Sequence, residues 1–125
     1  GKNPEVLIIA CGTLVHNALL AAKELENEIS VVVINNHTVK PMDKKTIVSY
    51  AKKTGAVVTV EEHQIAGGMG STVAELLAME FPVPIEFIGV HDKFGQSGNP
   101  EELIEYYGMG VSHIKEAVKK VLVRK

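Results

Sequence analysis

Four short apolar runs limit what this chain can fold into: Val6-Leu7-Ile8-Ile9-Ala10, Ile29 to Ile34, Ala56 to Val60, and Ile85 to Val90. Three of them are rich in β-branched residues and lack polar alternation. A strand with one face in water alternates, so these runs suit strands covered on both faces, as in a parallel sheet between helices.

Between the runs the period changes to about 3.6. Val15, Ala18, Leu19, Ala22 and Leu25 make one helical stripe, and Ile47, Tyr50, Ala51 and Thr54 a second. Val73, Leu76 and Leu77 make a third, and Ile114, Ala117, Val118, Val121 and Leu122 the cleanest. Asp43 reads as an N-cap and Gly55 as the stop of the second helix. Asn99-Pro100-Glu101-Glu102 combines a cap, a first-position Pro and a Glu, which predicts a short helix over 100–107. Ser112 reads as the cap of the last helix. This order, β-α-β-α-β-α-β with two closing helices, predicts a three-layer α/β/α domain. Its sheet is mainly parallel, of about four strands in the order 2-1-3-4, with right-handed crossovers.

With 125 residues the chain is one domain in length, 1–125, and can build one core. Net charge is −2, which argues against a nucleic-acid partner. The single cysteine, Cys11, excludes an internal disulfide and a cysteine-based zinc site. It reads as a small buried hydrophobe. No apolar run reaches the roughly 20 residues of a membrane span. The opening Gly1-Lys2-Asn3-Pro4 carries no signal-peptide pattern and no initiator Met. The expectation is a soluble, cytoplasmic domain cut from a longer polypeptide, with no membrane contact.

In open α/β sheets ligands bind beyond the carboxyl ends of the strands. Those ends carry Cys11-Gly12-Thr13, Asn35-Asn36-His37, Glu61-Glu62-His63 and His91-Asp92. Glu61, Glu62 and His63 are of the types that do acid–base work, but solvated loop or domain-contact residues look the same in sequence. His63, His91 and Asp92 lie on two loops without the short spacing of a metal site. Gly67-Gly68-Met69-Gly70-Ser71 precedes a helix, so its amides could hold an anion. It misses the dinucleotide fingerprint, since Val73 stands at the third glycine position, and it lacks a P-loop ending. Close helix–sheet packing is the plainer role for these glycines. The possible ligand or domain-contact loop is thus Glu62, His63, Gly67, Gly68, Gly70, Ser71, His91 and Asp92. No catalytic, cofactor-binding or metal-binding residue is assigned. His16 and His113 fall within helices, and Lys115, Lys119, Lys120, Arg124 and Lys125 read as a solvated helix face.

In order and spacing, several stretches resemble one known module. They are Gly12-Thr13-Leu14-Val15-His16, Val39-Lys40-Pro41-Met42-Asp43, Val58-Thr59-Val60-Glu61-Glu62-His63 and Gly67-Gly68-Met69-Gly70. His91-Asp92-Lys93-Phe94-Gly95-Gln96-Ser97-Gly98 and Pro100-Glu101-Glu102-Leu103 complete the set. From about Pro4 to Leu122 the chain is similar to the C-terminal domain of transketolase and its thiamine-diphosphate relatives. Those relatives include 1-deoxyxylulose-5-phosphate synthase and the E1 β subunits of 2-oxoacid dehydrogenases. The segment from Asp92 to Gly98 leans towards transketolase, split versions included. Thr59-Val60-Glu61-Glu62-His63 also suits the deoxyxylulose synthase branch, so the C-terminal domain of such a synthase or of an E1 β-type enzyme is the alternative within the family.

The resemblance implies an intact enzyme that moves a two-carbon ketol unit between sugar phosphates of pentose phosphate metabolism. Thiamine diphosphate and Mg²⁺ would be bound by other domains, so no cofactor is expected in this chain. Asn35-Asn36 looks like the end of the family's diphosphate motif, but no Gly-Asp-Gly precedes it. The catalytic Glu and the sugar-phosphate-binding Arg and His also belong to other domains. The implied partner is the pyrimidine-binding domain or the N-terminal section of the same enzyme, in a homodimer or heterotetramer. The chain alone is expected to be inactive. The family's domain opens with a short antiparallel strand that Gly1 to Glu5 are too short to make, so four parallel strands are expected. Two alternatives come from other classes. One is a regulatory module that binds a small ligand or anion at the Gly67–Ser71 turn. The other is a flavodoxin-like enzyme, for which no phosphate loop follows the first strand.

Overall fold

A computed structural model describes residues 3–36, 43–64, 68–90 and 110–125. Four strands, β1 (Val6–Ala10), β2 (Val31–Asn35), β3 (Val57–Gln64) and β4 (Ile85–Val90), form one parallel sheet in the order β2-β1-β3-β4. The expected strand order and direction are observed. Among the described residues four helices accompany them: α1 (Leu14–Leu25), α2 (Lys44–Thr54), α3 (Met69–Glu80) and α4 (Val111–Arg124).

Alternation along β1 and β3 divides the core in two. Val6, Ile8, Ala10, Val58 and Val60 face α1 and α4, whose Leu14, Ala18, Ile114, Val118 and Val121 complete one cluster. Leu7, Ile9 and Val57 face the other way and pack on Ile47 and Ala51 of α2 and on Val73 and Leu77 of α3. All five residues of β1 are fully buried, which explains why that run never alternates. The edge strand β2 is only half-buried.

The helix ends follow ordinary capping chemistry. An Asp43 carboxylate oxygen accepts the Thr46 amide at 3.1 Å, and Gly55 closes α2 at φ 75°. At the amino end of the sheet, Arg124 of α4 donates to the Ile85 carbonyl at 2.8 Å and to the Glu86 carboxylate.

Three expectations are corrected in detail. Gly110, not Ser112, caps α4, because the helix already begins at Val111. Leu19 is 52% exposed: α1 turns Leu14, Ala18, Ala21 and Leu25 inward, and its alanines let the helix lie close to the sheet. The third strand runs past Val60 to Gln64, with a register irregularity against β4, so Glu61, Glu62 and His63 belong to a strand and not to a loop. The short helix expected over 100–107 lies outside the described residues.

Candidate functional site

The switch point of this strand order lies between β1 and β3, where the first two crossovers leave the sheet in opposite directions. Cys11 follows β1 there and donates its amide to the Val60 carbonyl at 3.2 Å. Gly12 turns the chain into α1 with φ 67° and open space around its Cα.

On the β3 side, alternation carries Val57, Thr59 and Glu61 onto the face towards α3. Glu61 is fully buried. One carboxylate oxygen accepts the Met69 amide at 2.8 Å and the other the Gly70 amide at 2.6 Å. These are the opening amides of α3, which lack partners within their own helix. Gly68, the N-cap, is extended and has no side chain to serve them, so Glu61 reaches across from the sheet to do so. The helix dipole favours a carboxylate in this place.

Gly70 makes that approach possible. A Cβ there would lie 2.9 Å from Glu61 Oε2, 3.0 Å from Phe87 Cδ1 and 3.0 Å from Thr59 Oγ1. This is the close helix–sheet packing read for the glycine turn. The Thr59 hydroxyl is buried beside it and has no hydrogen-bond partner among the described residues.

The candidate residues are therefore distributed unevenly. Glu61, Gly68, Gly70 and Ser71 meet at the start of α3, whereas Glu62 is exposed on β3. The backbone of His63 lies in β3; Gly67, His91 and Asp92 lie outside the described residues. Sequence reasoning grouped Glu61 with exposed acid–base candidates and passed over Thr59. The signal available was the period of two, which puts both on the face of Val57.

Burial pushes the Cys11 thiol above its ordinary range, and the Glu61 and Glu62 carboxylates push it further. With a 2% exposed side chain, Cys11 is a packing residue. Two amide donors hold the Glu61 carboxylate, so Glu61 positions the start of α3. The opening amides of α3 are not open to a diphosphate. The amides that would hold the anion serve Glu61, and the described residues include no cluster of three His, Cys, Asp or Glu.

The family model of the transketolase C-terminal domain matches residues 1–114. The chain belongs to this family. It is 44% identical over 122 residues to a 6-deoxy-6-sulfo-D-fructose transketolase subunit of Clostridium sp. (strain MSTE9), covering 97% of this chain and 38% of that protein. Against the 1-deoxy-D-xylulose-5-phosphate synthase of Heliobacterium modesticaldum it is 41% identical over 122 residues, covering 96% of this chain and 19% of the enzyme. The solved structure of a split-gene transketolase, an inactive β4 tetramer, superimposes with TM-score 0.91 at 44% identity. That match covers 98% of this chain and 40% of the solved one. In each relative the transketolase C-terminal domain is thus the smaller part of a longer chain.

Proposed function

We propose that residues 1–125 form one C-terminal domain of a transketolase-type enzyme that transfers a two-carbon ketol unit between sugar phosphates in the cytoplasm. Thiamine diphosphate and Mg²⁺ supply the carbanion chemistry when bound, and they are held by the enzyme's other domains. This domain buries surface against the pyrimidine-binding domain or N-terminal section and supports assembly as a homodimer or heterotetramer. The similarity to the transketolase subunit and to the split-gene transketolase structure carries the reading. The inward use of Glu61 supports a scaffold role, since the strand-end carboxylate best placed for chemistry is committed to α3.

The test is ketol transfer from a ketose phosphate donor to an aldose phosphate acceptor. It is measured for this chain, for the section carrying the diphosphate- and pyrimidine-binding domains, and for the two mixed. Activity that needs the mixture supports the proposal. Turnover by this chain alone would contradict it, and so would a complementary section indifferent to its addition.

A further inference from the structure

Helix α2 carries Lys44, Lys45, Lys52 and Lys53 and no acidic residue, on a chain whose net charge is −2. Between it and α3 runs a groove of about 390 Å³ lined by Lys44, Lys45, Val48, Ser49, Lys52, Leu76 and Glu80. Its apolar part, Val48 and Leu76, is half-buried against the α2–α3 core cluster, while the three lysines are exposed on its rim. Phe81, just past α3, is 37% exposed, with the Lys52 ammonium 6.0 Å from its ring centroid. Met79, two residues before Phe81 in the chain, is 85% exposed.

We propose that this groove is a docking surface for an acidic amphipathic helix of a partner protein. The proposal does not depend on which reaction the parent enzyme performs. An apolar floor between two helices accepts side chains spaced one turn apart on a third. The ammonium groups of Lys44, Lys45 and Lys52 along the α2 wall attract and orient carboxylates on the flank of that helix they face. With Glu80 on the α3 wall, the lining still carries three cations to one carboxylate. A small anion is a poorer occupant. The lysines sit on solvated, flexible stems, and Asp43 already places a carboxylate at the head of α2. A nucleic acid would use the lysines but leave Val48 and Leu76 uncovered, and the Phe81 ring already carries a cation on one face.

Two labelled helical peptides test this with the 125-residue chain, by fluorescence anisotropy. One has Leu at i, i+4 and i+7 flanked by Glu, and the other has Lys in place of every Glu. The acidic peptide binds, more weakly as salt rises, and the basic one does not. Lys45→Glu/Lys52→Glu weakens binding about tenfold. The charge-matched Lys23→Glu/Lys119→Glu, on α1 and α4, leaves it unchanged. In the unsubstituted chain, backbone amide shifts caused by the peptide fall on α2 and α3. Equal binding of the two peptides would overturn the proposal, as would absence of binding or shifts confined to α1 and α4. Tighter binding of a single-stranded oligonucleotide, or displacement of the peptide by pyrophosphate, would assign the surface to another class of ligand and overturn it equally.

Discussion

Glu61 Oε2 accepts the Gly70 amide at 2.6 Å, and the same oxygen stands 2.9 Å from where a Gly70 Cβ would be. The carboxylate and the missing side chain therefore depend on one another. Glu61→Ala leaves one buried and one part-buried amide unserved and should cost about 3 kcal/mol, the range for charged hydrogen bonds and orphaned donors. Gly70→Ala forces a methyl group against three neighbours and should cost about 2 kcal/mol. In the Glu61→Ala background the second change should cost less, because one obstructing atom is gone. Denaturant unfolding of the four proteins reads this coupling; strict additivity would mean the two residues are independent.

The Thr59 hydroxyl is buried and has no partner among the described residues, so it brings desolvation cost with no hydrogen bond from them in return. Thr59→Val should raise stability by about 1 kcal/mol, seen as a higher denaturant midpoint at unchanged slope. A loss of stability would show that the hydroxyl has a role.

Cys11 should be a slow thiol. Its pKa is raised by burial first and then by Glu61 and Glu62, and thiolate is the reactive form. Alkylation near neutral pH should be far slower than for an unstructured cysteine peptide and should reach the peptide's rate in denaturant. Rapid labelling of the folded chain would contradict this.

Asp43 predicts an acid-side effect on stability. Its side-chain and backbone hydrogen bonds to Thr46 hold the carboxyl below its ordinary value. A group depressed in the folded state stabilises above its unfolded pKa, and that contribution is lost as pH falls through the folded value. The stability gap between the parent chain and Asp43→Ala should be level above about pH 4 and close below it. A gap that widened on acidification would have the wrong sign.

Most of the fold is legible in the sequence because burial on both faces removes polar alternation. The fully buried Val6–Ala10 announces a central parallel strand, and Asp43 and Gly55 mark the bounds of α2 by chemistry that needs no tertiary information. The errors lie where tertiary packing decides. Leu19 fits a helical stripe as well as Ala21 does, and only the sheet's position against α1 selects the alanine. Glu61 follows an apolar run and looks like the first polar residue of a loop. What makes it internal is a helix start that lacks a side-chain cap and presents its amides to the end of β3. The α2–α3 groove joins two segments distant in sequence, so its lysines read only as a charged helix face.

The proposed role has this chain support a thiamine-diphosphate enzyme without holding the cofactor, and titration of the purified chain with thiamine diphosphate and Mg²⁺ by calorimetry tests it. A flat titration is predicted. Stoichiometric binding at micromolar strength would contradict it and would locate cofactor chemistry within these 125 residues.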